Sequence, residues 1–272
     1  MSFGLEWQLI VELLLLGCCT GFLAGLLGIG GGMLLVPFMT LLLTLKGFPN
    51  DYIVKMAVAT SLATICFTSI SSVRAHHQRG AVRWGVVKLL APGIVVGSML
   101  GAQIAKALPS NVLALFFAAF VSFSATQMFR NKKPRPTRQL PPAPGMFGAG
   151  SGIGVLSSLV GAGGGFVSVP FMTWCNVPIH NAVATSAALG FPIALAGTVG
   201  YVAAGWTLHG MPAGTLGFIY LPALLVVSAA SVTTAPLGAR WAHRLDVQQL
   251  KRVFAGLLYA LAAYMLYKAF TV

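Results

Sequence analysis

The residues best placed to do chemistry in this chain are glycines and hydroxyls. Glycines cluster twice: Gly28, Gly30, Gly31 and Gly32, then Gly161, Gly163, Gly164 and Gly165. Both clusters lie in apolar sequence, where glycine at that density interrupts a helix and exposes backbone N–H groups. Pro37 and Pro170, five residues beyond the last glycine of each cluster, reinforce the interruption and are candidate hinges. A half-helix starting after such a break points free N–H donors and a positive dipole end at whatever lies before it. That is the chemistry of an anion site, and it needs no charged side chain. The same glycines permit close helix packing, and the two roles are compatible. The candidate backbone donors are Gly30, Gly31, Gly32, Gly163, Gly164 and Gly165.

Thr60-Ser61 and Thr185-Ser186 form a second matched pair inside apolar runs. A hydroxyl in mid-helix ordinarily bonds its own backbone. Two copies at equivalent positions, however, make Thr60, Ser61, Thr185 and Ser186 candidates to hold a small oxyanion beside the backbone amides. Asn181 stands before the second pair where the first has Met56, an asymmetry that suits a substrate lacking two-fold symmetry. Glu12 is the one carboxylate well inside an apolar run, so it is the candidate proton carrier.

Much other chemistry is excluded. The four acids are Glu6, Glu12, Asp51 and Asp246, too few for most acid/base or metal-dependent enzymes. Cys18, Cys19, Cys66 and Cys175 sit in apolar runs without metal-ligand spacing and read as small packing residues. His76-His77 reads as a solvated loop pair, and Gln103 as a polar group bonding a neighbouring helix. No phosphate loop, zinc-protease helix or nucleophile elbow is present. The expectation is a protein that is not an enzyme, holds no metal and needs no cofactor.

The elements that must position these residues are membrane helices. Of the 272 residues, 57% are apolar and 8% charged, about a third of the charge share of a soluble domain. With a mean hydropathy of +0.86, the chain lacks the polar surface to coat a soluble globule. Apolar runs fall at 7–27, 31–45, 52–73, 84–108 and 112–129, and again at 146–160, 164–177, 182–205, 215–239 and 250–270. The first run lacks a basic leading region and is expected to remain as a helix. Between the two sets lies Arg130-Asn-Lys-Lys-Pro-Arg-Pro136 followed by Pro141, Pro142 and Pro144, a basic, proline-rich linker. The division is 1–130 as a first transmembrane repeat, 131–144 as cytoplasmic linker, and 145–272 as a second repeat.

The halves match in sequence. Gly28-Ile-Gly-Gly-Gly-Met-Leu-Leu-Val-Pro-Phe-Met-Thr40 aligns with Gly161-Ala-Gly-Gly-Gly-Phe-Val-Ser-Val-Pro-Phe-Met-Thr173 at a shift of 133. Ala57-Val-Ala-Thr-Ser61 aligns with Ala182-Val-Ala-Thr-Ser186 at a shift of 125, and Leu100-Gly-Ala102 with Leu237-Gly-Ala239 at 137. Three matches in one order at nearly one shift mark an internal duplication.

Charge sets the orientation. The net charge of +13 concentrates at Arg74 to Arg83, Arg130 to Arg138 and Arg240 to Arg252, the pattern of cytoplasmic loops rather than of a nucleic-acid surface. The connections near Lys106 and over 205–214 suit the outside. Five crossings per half would insert the second repeat upside down, an inverted-repeat arrangement common among transporters. The short runs after each glycine cluster are either tilted spans or re-entrant segments. The expected fold is therefore an all-α polytopic membrane protein of two inverted repeats, with short or broken helices at the glycine motifs.

The glycine motifs Gly28-Ile-Gly-Gly-Gly…Val36-Pro37 and Gly161-Ala-Gly-Gly-Gly…Val169-Pro170 carry a family resemblance. With Ala57 to Ser61, Ala182 to Ser186 and Leu237-Gly-Ala-Arg240, they resemble the TauE/SafE sulfite exporter family over nearly the whole chain. The resemblance implies a secondary carrier in a bacterial-type plasma (inner) membrane. Its implied cargo is sulfite or a small organosulfonate such as sulfoacetate, exported by alternating access. The expected partners are a small anion and the lipid bilayer; Glu12 makes protons the candidate coupling ion, and the charge pattern leaves no place for nucleic acid. The rival readings are an anion channel or a carrier for another small organic anion, and a membrane scaffold or assembly subunit.

Overall fold

The structure is a computed structural model that describes residues 7–27, 32–130, 138–208, 211–242 and 247–271. Among these, ten helices follow the apolar runs closely: α1 (Trp7–Leu27), α2 (Gly32–Leu45), α3 (Asn50–Gln78), α4 (Trp84–Ala107) and α5 (Ser110–Arg130), then α6 (Ala143–Val160), α7 (Gly165–Trp174), α8 (Ile179–Gly205), α9 (Leu221–Ala242) and α10 (Val247–Thr271). α3, α4, α5, α6, α8 and the Arg252–Thr271 part of α10 are long and apolar enough to cross a membrane. Outward-facing Leu100, Phe123, Leu225 and Phe270 are exposed, as a lipid-facing surface requires. The chain is an all-α, multi-pass membrane protein.

Two boundaries differ from the sequence expectation. The run read as starting at Thr215 opens with a small hairpin, β1 (Thr215–Leu216) against β2 (Ile219–Tyr220), and α9 begins only at Leu221. Gly214 and Gly217 take φ of 83° and 57° there, a left-handed backbone that a helix start cannot use. At the linker, α6 begins at Ala143 with Pro144 in its first turn, where the missing N–H would have no helical partner anyway. α2 and α7 run through Pro37 and Pro170 instead of ending at them.

The helices flanking each glycine cluster fold back on each other. Glu12, near the start of α1, lies 3.9 Å from the Lys46 ammonium, just past the end of α2. The arms of this first hairpin therefore open at one end of the bundle. In the second hairpin, Arg138 stands five residues before α6 and donates its N–H to the Trp174 carbonyl, the last residue of α7, at 3.3 Å. The Arg138 guanidinium also stacks 4.7 Å over the Trp174 ring. This hairpin opens beside the basic α5–α6 linker.

The pairing of helices repeats itself. α1 packs along α9 and α6 along α4; α3 crosses α8; α5 packs on α10; α3 also meets α9, as α8 meets α4. Exchanging α1–α5 for α6–α10 leaves this pattern unchanged. α4 and α6 run parallel, with Gly93 against Phe147, Gly97 against Ser151 and Gly101 against Ser158. α1 and α9 are parallel too, Gly17 meeting Val227 and Ala230 while Gly21 meets Ser231 and Thr234. α3 and α8 run in opposite directions: Leu62 lies at Gly197 and Ser69 at Gly190. A methyl group at Gly97 or Gly154 would strike the carbonyl oxygen of Ser151 or Ile94 on the facing helix. Backbone approach of this kind drives helix association in lipid, where burying apolar surface gains little.

Candidate functional site

The second glycine break is fully described. α6 ends at Gly161, whose φ of 69° turns the chain; the N–H groups of Gly161 and Ala162 both bond the Ser157 carbonyl. Gly164, φ 76°, then caps the start of α7, its carbonyl accepting from Val167 at 3.1 Å and Ser168 at 2.9 Å. A side chain at either position would force strained backbone. The N–H groups of Gly165 and Phe166 point out of the first turn, and among the described residues nothing accepts from them. Gly163 and Gly165 are partly exposed, while Gly161 and Gly164 are buried. Of the first break, Gly28, Gly30 and Gly31 lie outside the described residues, and Gly32 is the buried first residue of α2.

The two breaks meet. A Cβ on Gly32 would collide with the Gly161 carbonyl oxygen and lie 2.8 Å from Ile65 Cδ1. Ser61, on α3, donates its hydroxyl to that Gly161 carbonyl at 2.8 Å and lies 3.4 Å from the Gly32 carbonyl. One hydroxyl thus spans the two hairpin tips. Gly32 and the 161–164 turn pack against α3 and α8, Gly32 beside Ile65, Gly161 beside Val58 and Gly164 beside Ile193.

The other paired hydroxyls have matched partners. Thr60 accepts from the Tyr220 backbone N–H at 3.0 Å, and Thr185 accepts from the Arg83 backbone N–H at 3.0 Å. Tyr220 and Arg83 are the residues immediately before α9 and α4. Each threonine therefore holds the start of the fourth helix of the opposite half. Asn181 adds a second rung by donating to the Ala81 carbonyl at 2.9 Å. Ser186 accepts from Ser168 of α7 at 2.7 Å. Thr60, Ser61, Thr185 and Ser186 are all buried. The structure brings Ser61, Gly32 and Gly161 together, and Ser168 with Ser186, while the two threonines sit at the connections entering from either end.

Other candidates stand apart. Glu12 is half-exposed beside Lys46 at the mouth of the first hairpin; fifteen residues separate it from the end of α1, about 22 Å of helix. His76 and His77 belong to the last turn of α3, not to a loop, because the helix continues to Gln78. His77 Nδ1 accepts from the Trp84 indole at 3.2 Å. Gln103 is exposed and makes no side-chain hydrogen bond among the described residues, since α4 turns its glycine face, not this one, to α6. Among the described residues no group of His, Cys, Asp and Glu could hold a metal ion, and all four thiols are free.

Sequence reasoning missed three features. Lys55 is buried and donates to the Lys106 carbonyl at 3.0 Å, capping the negative end of α4. Ser157 has a buried hydroxyl with no partner. The glycine faces of α1, α4 and α6 were legible as small residues four apart, Gly17/Gly21, Gly93/Gly97/Gly101 and Gly150/Gly154, had that spacing been sought. A depression of about 270 Å³ lies elsewhere, between the end of α8 and the β hairpin, lined by Trp206, Leu208, Met211 and Leu216.

A multi-pass helical bundle whose broken hairpins meet at its centre is built as a membrane transporter rather than as an enzyme. The chain belongs to the sulfite exporter TauE/SafE family, whose sequence profile matches residues 13–265. It is 38% identical over 261 residues to a probable membrane transporter protein of Haemophilus influenzae, covering 95% of this chain and 98% of the relative. A probable membrane transporter protein of Methanocaldococcus jannaschii is 26% identical over 270 residues, covering 96% and 97%. Another, YunE of Bacillus subtilis, is 30% identical over 215 residues, covering 72% and 79%. No solved structure matches the chain significantly.

Proposed function

We propose that this transporter carries a small sulfur-containing anion, sulfite or an organosulfonate, out of the cell by alternating access between two inverted repeats. The observation that carries the reading is the meeting of Gly32 and Gly161 at Ser61, together with N–H donors at Gly165 and Phe166 of the second break that have no acceptor among the described residues. Donors without formal charge bind an oxyanion and release it readily. The antiparallel α3 and α8 and the exchange-invariant helix pairing support inversion of the repeats. The basic connections at Arg74 to Arg83 and Arg130 to Arg138 support a cytoplasmic placement for that end, in a bacterial-type inner membrane.

The two threonine bonds are the proposed gates. Release of Arg83 from Thr185 opens the path from the cytoplasmic end, and release of Tyr220 from Thr60 opens it from the outside. In this structure both are made, with Gly161 and Gly164 buried and Gly163 and Gly165 partly exposed. Protons are the proposed coupling ion. Protonation of Glu12 would release Lys46 and loosen the arms of the first hairpin, acting on the tip through α1 and α2. The reading is tested by thermal-shift binding on detergent-purified protein with sulfite, sulfate, sulfoacetate, taurine and acetate. Concentration-dependent stabilisation by a sulfur anion is the expected result; stabilisation by acetate alone contradicts the cargo class.

A further inference from the structure

We infer that Ser157 is a side-chain ligand of the transported anion, and that the anion sits at the second glycine break rather than midway between the two. This deepens the functional reading above and rests on it.

Ser157 lies on the last turn of α6, and its hydroxyl is buried without any hydrogen-bond partner. It is aimed across the hairpin: Oγ lies 3.0 Å from the place a Cβ would occupy on Gly164, the residue that caps α7. Its carbonyl is already engaged by Gly161 and Ala162, so the hydroxyl alone remains uncommitted. A buried hydroxyl with no partner is costly, and one kept in a native structure calls for an explanation, such as an ion that satisfies it. The neighbouring uncommitted groups are the N–H donors of Gly165 and Phe166. With the Ser157 hydroxyl they offer an oxyanion three donors, drawn from both arms of one hairpin.

The two breaks are unequal in this respect. At the shift of 133 that aligns them, Ser157 corresponds to Ala24 and Ser168 to Leu35. The second break alone therefore carries hydroxyls on both arms. A Cβ on Gly32 would strike the Gly161 carbonyl, whereas one on Gly163 of the second break meets nothing closer than Ile65 at 3.7 Å. Around Gly163 and Gly164 the nearest side chains are Ile65, Ile153 and Ile193 with Ser157. Three isoleucines as these neighbours favour a monoanion such as bisulfite or a sulfonate over a dianion such as sulfate, since burying a second charge beside them costs more.

The test compares wild type with Ser157→Ala, both as full chains in lipid nanodiscs, titrated with methanesulfonate and sulfate. Wild type is expected to bind methanesulfonate more tightly than sulfate. Ser157→Ala is expected to weaken methanesulfonate binding by about tenfold or more, the usual effect of one lost hydrogen bond to an ion. Its ligand-free melting temperature is expected to stay level or rise, because the hydroxyl has no partner to lose; a structural serine would lower it. Unchanged affinity in Ser157→Ala, or a fall in its ligand-free melting temperature, overturns the assignment while leaving the transporter reading standing. If wild type binds neither methanesulfonate nor any sulfur oxyanion, that reading falls and this one with it.

Discussion

The Ser61 hydroxyl donates to the Gly161 carbonyl at 2.8 Å, joining α3 of the first half to the broken tip of the second, one hundred residues away. Gly161 turns left-handed at the end of α6, so its carbonyl leaves the helical ladder and needs an outside donor. Gly32, the first residue of α2, lies against the same carbonyl. The contact ties together α3, the start of α2 and the end of α6.

Ser61→Ala removes that donor and leaves a buried carbonyl short of a partner. The expected loss is about 1–3 kcal/mol of stability, read as a lower melting temperature in lipid nanodiscs, together with reduced transport. A variant that melts and transports as wild type removes Ser61 from the account.

Thr60→Val and Thr185→Val should separate the two ends. The first orphans the Tyr220 N–H and the second the Arg83 N–H. Hydrogen exchange followed by mass spectrometry should show faster exchange at residues 219–221 in the first variant only, and at residues 82–84 in the second only. An acceleration of roughly tenfold or more is expected from loss of one buried bond. Acceleration at both sites in either variant contradicts independent gates.

The glycine faces predict opposite signs for similar substitutions. Gly97→Ala and Gly154→Ala drive a methyl into the facing backbone and should destabilise by about 1–3 kcal/mol. Gly152, on the same helix as Gly154, faces open space. Gly152→Ala should therefore stabilise by about 0.5–1 kcal/mol through backbone entropy. Thermal unfolding of the three variants decides it; a uniform sign across them would show that the glycines act through propensity, not packing.

Much of this was readable from the residues, and the reasons are physical. Hydropathy alone located the ten helices, because a bilayer demands long apolar runs. The left-handed turns at Gly161 and Gly164 follow from a glycine density no continuous helix would carry. What could not be read was direction and partnership. The sequence leaves Gly32–Leu45 and Gly165–Trp174 open between tilted spans and re-entrant segments; the fold-back is marked by Lys46 near Glu12 and Trp174 meeting Arg138, partners that hydropathy does not pair. The partners of Thr60 and Thr185 come from segments far along the chain. Thr215 to Tyr220 reads as the start of a span because its apolar residues mask the left-handed glycine at Gly217 and the one just before it at Gly214.

Glu12→Gln tests the coupling proposal. The pair with Lys46 is half-exposed, so its loss should change stability by no more than about 1 kcal/mol. The dependence of transport on external pH should flatten. A pH profile matching wild type places coupling at another group.

A carrier whose single seat is exposed to one side at a time shows counterflow. Proteoliposomes preloaded with unlabelled sulfite are diluted into a trace of labelled sulfite, with no other gradient. The account predicts transient accumulation of label above its equilibrium level, abolished by an excess of unlabelled sulfonate outside. Label that merely equilibrates, at a rate indifferent to the internal load, would contradict alternating access and identify a channel.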